Sequence, residues 1–145
     1  MRFDIRDQFS DKQVITVTAV STNSKTKKNI KRDLGIGCSD SGLAIFIDED
    51  AVGGGGSLAV ELIEADDAAL TSNVVSLGTL TIPYAKLKAG KSFFLNMPGD
   101  VATKKFFGAR YTPTTVTSVT VSSYFGARQD VANYKSFDST YSVDN

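Results

Sequence analysis

The sequence predicts an all-β fold: one domain, an antiparallel β-sandwich or jelly roll with extended N- and C-terminal arms. Three observations carry this. Between residues 73 and 125, runs rich in β-branched and aromatic residues are cut by Gly, Pro and Asp at the spacing of short antiparallel strands. Segments with helical character are limited to single turns. A chain of 145 residues with 41% hydrophobic residues, nine of them Phe and none Trp, can fill one core. At this size roughly 68–70% of the unfolded surface is buried on folding, so no staple is required. The expected organisation is an N-terminal arm or edge strand over 1–13, a sandwich over 14–125 and an extended tail over 126–145.

Residues 1–13 mix charges with isolated apolar residues at Phe3, Ile5 and Phe9. The run from Val14 to Val20 alternates, with Ile15, Val17 and Ala19 on one face and Thr16 and Thr18 on the other, which predicts a strand. Residues 21–32 are polar and basic, hence a loop. Leu43-Ala44-Ile45-Phe46-Ile47 is apolar on both faces, as in a strand at mid-core. Four glycines, Gly53 to Gly56, lose much entropy on ordering and predict a mobile hairpin tip. Leu58, Val60 and Leu62 alternate with wetter neighbours in the next strand. Asp66 to Leu70 is expected to form at most one helical turn.

Val74 to Ile82 reads as a strand. Pro83 to Gly90 turns the chain through a single helical turn, opened by proline and closed by glycine. Ser92 to Met97 follows, punctuated by Pro98-Gly99-Asp100. Residues 104–112 and 116–125 are expected to pair as a last hairpin. The count is seven or eight strands, which fits a jelly roll and a fibronectin-like sandwich alike.

The chemistry is sparse. There is no histidine, which removes Ser-His and Cys-His nucleophilic pairs and the commonest metal ligand. Cys38 is the only cysteine; it has no disulfide partner in the chain, and with no His the usual structural zinc sites are excluded. No spacing favours a carboxylate pair. The chain is therefore expected to be no enzyme and to use no cofactor and no metal. Sixteen basic and sixteen acidic residues give zero net charge, which argues against nucleic acid as partner. No segment has the ~18 consecutive apolar residues of a membrane span, so no membrane is expected either. The first seven residues carry two acids and no apolar core, unlike a signal peptide, and point to synthesis in a cytoplasm.

Three segments imitate known sites. Gly90-Lys91-Ser92 ends like a phosphate-binding loop, but Ala85 stands at the first glycine position and a strand is expected after Ser92. Asp48-Glu49-Asp50 opens like a calcium loop, with Gly53 at its sixth position. Its fifth and twelfth positions are Val52 and Ala59, leaving the ligand set incomplete, so a solvated loop is expected. Gly35-Ile36-Gly37 lacks the third glycine of a dinucleotide fingerprint and reads as a turn.

Charge is locally uneven. Lys25, Lys27, Lys28, Lys31 and Arg32 crowd one loop, whereas residues 48–67 hold seven acids and no base. Such blocks are either solvated faces or docking sites for a surface of opposite charge. Tyr134, Phe137 and Tyr141 are spaced along the polar tail, which has too little apolar area to fold alone. Rings so spaced wrap over their own sandwich or anchor in pockets of a neighbour. Phe3, Phe9, the five basic residues and the three tail aromatics are the candidate contact residues.

Several stretches together resemble the small capsid cement, or decoration, proteins of tailed phages, of the type first seen on a Bordetella phage. The matching pieces are Gln8-Phe9-Ser10-Asp11 with Gln13, Thr18-Ala19-Val20-Ser21-Thr22-Asn23, Asp33-Leu34-Gly35-Ile36-Gly37, the block from Thr79-Leu80-Thr81-Ile82 to Leu87-Lys88-Ala89-Gly90, and Phe106-Phe107-Gly108-Ala109-Arg110-Tyr111-Thr112 with the Thr/Val-rich strand after it. Each piece is short; their order and spacing cover nearly the whole chain. The basic stretch Ser24 to Arg32 is longer and more charged than the family pattern.

The resemblance implies a jelly-roll virion protein on the outer capsid surface. It would bind the major capsid protein of an HK97-like shell and bridge neighbouring shell subunits as a homo-oligomer, a dimer before a trimer. A reading from another class is a carbohydrate- or receptor-binding sandwich of a tail fibre, which would call for an exposed aromatic platform.

Overall fold

The computed structural model describes residues 8–26, 41–96 and 104–127. The fold is all-β, a seven-stranded antiparallel sheet. Its strands are β1 (Gln8–Ile15), β2 (Ala19–Val20), β3 (Lys25–Thr26), β4 (Ser41–Ala65), β5 (Val75–Pro83), β6 (Ser92–Asn96) and β7 (Phe106–Ala127). A 3-10 turn over Tyr84–Lys86 separates β5 from β6.

β4 and β7 are the spine. Over 25 and 22 residues they pair antiparallel from Ser41↔Ala127 to Ala65↔Phe106. An extended ribbon of this length would keep Tyr111 and Ser123 about 40 Å apart at ~3.3 Å per residue. Instead the Tyr111 hydroxyl lies 2.5 Å from Ser123 Oγ. The ribbon is therefore folded over on itself, and a core forms between the two layers.

One layer holds Ser41–Ile47 of β4 and Val119–Ala127 of β7, with β6 on one edge and β1 on the other. The second layer holds Ser57–Ala65 and Phe106–Thr114, flanked by β5 on one side and by β2 and β3 on the other. Leu43, Ile45, Ile47, Val119, Val121 and Phe125 of the first layer share one buried cluster with Leu58, Val60, Leu62, Phe107, Ala109 and Tyr111 of the second.

The fold-over sits at Gly53–Gly56 against Thr114–Val116, where the register shifts repeatedly. β4 takes 24 steps from Ser41 to Ala65 where β7 takes 21 from Ala127 to Phe106. The excess is odd, so the core-facing parity of β4 switches from Leu43, Ile45 and Ile47 to Leu58, Val60 and Leu62. Gly56 has φ +89°, and a Cβ there would stand 1.9 Å from the carbonyl oxygen of Thr114. Glycine is required at that point by both backbone shape and close approach.

Three expectations are corrected here. The glycine run is no hairpin tip; it is the hinge of a continuous strand, held against β7. Residues 104–125 do not form a hairpin, because each half of β7 pairs along its whole length with β4. The strand expected over 14–20 is broken at Thr16–Thr18: Ile15 pairs Val119 and Ala19 pairs Tyr111, so this edge crosses from one layer to the other. Val17 consequently faces solvent, 68% exposed, while Ile15 is buried. Asp66–Leu70 stays within the single turn expected of it: Leu70 N donates to Asp67 O at 3.2 Å, and the Asp67 carboxylate accepts from Thr71 N, Thr71 Oγ1 and Ser72 N.

Other elements fall close to expectation. β5 and β6 match their sequence signals to within a residue or two, and Pro83 does precede a short helical turn. That turn crosses between the layers beside the hinge. Its backbone joins β4 through Ala51 N to Leu87 O, Gly90 N to Ile47 O and Ile47 N to Lys91 O, each at 2.9 Å.

Candidate functional site

Folding the ribbon at its middle brings its two ends to one end of the sandwich. Gln8 pairs with Tyr124, Ser41 with Ala127 and Gly42 with Asn96 in one layer; Thr26 and Ala65 both pair with Phe106 in the other. Lys104 joins the second group, donating its N–H to Glu64 and its ammonium to Asp66 at 3.2 Å. The described chain is left and re-entered only through Gln8, Thr26, Ser41, Asn96, Lys104 and Ala127. All six therefore stand at the end opposite the hinge, here called the open end.

This geometry bears on the contact residues expected from sequence. Lys25 lies on β3 at the open end, half-buried and opposite Phe107. Phe9 is a correction: it is fully buried, edge-on to Phe125 at 6.5 Å, and serves the core of its own chain. It stands between buried Gln8 and Ser10, ahead of exposed Asp11 and Lys12 on β1; Asn23 N binds its carbonyl and its ring is buried. Phe3, Lys27, Lys28, Lys31, Arg32, Tyr134, Phe137 and Tyr141 lie outside the described residues, as do Cys38 and Gly35-Ile36-Gly37.

Aromatics that the sequence reading did not single out stand on the outer face of the first layer. Ala44 is buried there beneath half-buried Phe46, Phe94 and Tyr124. Phe46 and Tyr124 meet edge to face at 5.9 Å, and Gln8 Nε2 donates to the Tyr124 hydroxyl at 3.0 Å. The signal was present in the pairs Phe93-Phe94 and Tyr124-Phe125. Neighbours on a strand face opposite ways, so one ring of each pair must point outward.

The segments that imitate known sites resolve into structure. Gly90 has φ +83° in a turn closed by Lys91 N to Lys88 O, and β6 follows with no helix. Asp48, Glu49 and Asp50 belong to β4, not to a loop. Asp48 accepts from Ser122 Oγ, Glu49 from Thr120 Oγ1 and Asp50 from Ala89 N. Among the described residues no group of three His, Cys, Asp or Glu is placed to hold a metal ion.

Two polar arrangements shape the interior and the second layer's outer face. The Tyr111 hydroxyl sits between Ser10 Oγ and Ser123 Oγ, joining the layers, and burial pushes its pKa up to about 12. Ser10 also donates to Gln13, whose amide donates to Val20 O and whose oxygen accepts from Thr22. On the outer face Arg110 grips Glu61 through two bonds, Nε at 2.6 Å and Nη2 at 3.0 Å. The Arg110 hydrogen bond holds the Glu61 carboxyl below its ordinary value against the opposing effect of burial.

What the fold and these groups define is an all-β module whose described chain ends are gathered at one end. A comparison with protein families matches the Bbp16 family model over residues 9–124. The chain belongs to the Bbp16 family, a family of Bordetella phage proteins. A search of the curated proteins finds no match.

Proposed function

We propose that this chain is a virion structural protein that caps the outer surface of a phage head and ties neighbouring shell subunits together. Membership in a phage protein family gives the setting. The observation that supports attachment is the gathering of every chain exit at the open end. The basic loop is entered through Thr26, the N-terminal arm ends at Gln8 and the aromatic tail begins after Ala127. Segments anchored side by side can engage one surface together. Once the first contact forms, the others become intramolecular, and linked contacts raise avidity by ~10²–10⁴ over one site. The mechanism is clamping, with no catalytic step and no cofactor.

The copy number of this chain in purified virions, relative to the major shell protein, tests the proposal by quantitative mass spectrometry. A ratio near one-to-one is expected. A handful of copies per particle would assign it to the tail instead, and absence from the particle would end the proposal. Replacing Lys25, Lys27, Lys28, Lys31 and Arg32 with Ser or Gln is expected to weaken binding to emptied heads and flatten its salt dependence. Unchanged binding across a salt series would remove the basic loop from the contact.

A further inference from the structure

The outer face of the first layer carries one transverse row through four strands. Gln8 of β1 pairs with Tyr124 of β7, Tyr124 with Ala44 of β4, and Ala44 with Phe94 of β6. Cross-strand neighbours share a face, so these side chains stand abreast, with Phe46 two residues along β4. Ala44 is the smallest of them, a low point among the rings of Tyr124, Phe94 and Phe46. No charged side chain enters the row. The first along β4 is Asp48, whose carboxylate accepts from Ser122 Oγ.

The row begins where the N-terminal arm joins the sheet. Gln8, which follows the arm, is itself tied to the row, because its Nε2 donates to the Tyr124 hydroxyl at 3.0 Å. In the arm Phe3 and Ile5 alternate with Arg2, Asp4 and Arg6. An extended segment of that pattern has one apolar side and one charged side. The lengths agree as well. With strands ~4.8 Å apart, Ala44 lies about 10 Å and Phe94 about 14 Å from Gln8. Extended chain from Gln8 back to Ile5 covers about 10 Å, and back to Phe3 about 17 Å.

We infer that the N-terminal arm lies across the outer face of the first layer, transverse to its strands, with Ile5 and Phe3 seated on the Tyr124–Ala44–Phe94 row. The arm then straps edge strand β1 to edge strand β6 over β7 and β4, and Arg2, Asp4 and Arg6 stay in water. Phe3 becomes an anchor for its own chain, as Phe9 is through Phe125. The choice of occupant rests on the tether. The tail leaves this layer after Ala127, but its first aromatic, Tyr134, comes seven residues on, and a longer tether costs more to close. A separate molecule would lose its translational and rotational freedom on binding, which an arm fixed at the end of the row does not.

The inference goes beyond the proposed function and does not rest on it. An arm so placed leaves the basic loop and the tail as the attachment segments. Its test uses the isolated chain, so it stands or falls apart from any binding to heads.

Nuclear Overhauser spectra of the isotope-labelled chain test it. Cross-peaks from the Phe3 ring to the Ala44 methyl and the Phe94 ring are expected, with Phe3 and Ile5 shifted away from random-coil positions. In a mixture of labelled and unlabelled chains these cross-peaks should arise within one chain only. Phe3→Ser with Ile5→Ser should abolish them, move the Ala44 methyl resonance and speed amide exchange in 42–46 and 92–96 while leaving 57–65 unchanged. Circular dichroism checks that this variant folds. Cross-peaks from Tyr134, Phe137 or Tyr141 to Ala44 would give the row to the tail, and cross-peaks between chains would give it to a second copy; either overturns the inference. Random-coil shifts throughout residues 1–7, or an Ala44 methyl indifferent to the double substitution, overturn it as well.

Discussion

The two ends of the sandwich are built on different principles. At the hinge the backbone itself is specialised: Gly56 at φ +89° packs against Thr114, Thr115 lies at φ +67°, and the turn after β5 locks onto β4 by three main-chain bonds. At the open end side chains dominate, with Asp67 closing a turn, Lys104 bridging to Glu64 and Asp66, and strand ends handing the chain to segments outside the described residues. The difference teaches that the fold is specified away from the end proposed to meet a partner. Attachment segments can then vary without disturbing the bend on which the core depends.

The sharpest way to break this contrast is at the hinge. Gly56→Val places a β-branched residue at positive φ with its Cβ in the Thr114 carbonyl, and no flexible side chain is there to yield. A loss of about 3 kcal/mol or more, or failure to fold, is expected from urea unfolding. A near-neutral result would mean that the ribbon bends elsewhere.

Between the ends, Tyr111→Phe tests what pins the layers together. It leaves Ser10 and Ser123 buried without the hydroxyl they share. A cost of about 1–3 kcal/mol is expected in chemical denaturation, with the fold retained.

On the second layer's outer face and at the open end the expected effects are smaller. The Glu61–Arg110 pair gives a pH signature. The Glu61 carboxyl titrates below 4.5 in the fold, so its contribution is present above the unfolded value and lost as pH falls through the lowered folded value. Glu61→Gln should remove that component, under about 1 kcal/mol for a pair at the surface, seen by comparing urea midpoints at pH 7 and pH 3. Asp67→Ala should be smallest in global terms. Faster amide exchange at Thr71 and Ser72 is its expected mark, with the overall unfolding midpoint nearly unchanged.

Most strands were legible because their signal is local. Alternation marked 58–63, apolar runs marked 43–47, and Pro83 and Gly90 bracketed the turn before β6. The errors fall where two distant segments decide jointly. Gly53–Gly56 carries the composition of a flexible tip, yet β7 runs alongside it and converts the same conformational freedom into a bend. Thr112–Thr115 resembles a hairpin turn, and pairing with β4 carries the strand on through the bend instead of back on itself. Phe9 is read as a contact residue from its polar neighbourhood; only the fold shows that Phe125 receives it.

The sequence by itself determined the all-β class, the single core, the missing histidine chemistry and the phage-family resemblance, because composition, period-two patterning and ordered motifs are properties of the chain alone. The tertiary structure decided that two strands of more than twenty residues fold over together and that their ends meet at one pole. Those depend on register between residues far apart in the chain, 86 positions for Ser41 with Ala127, which no local pattern encodes.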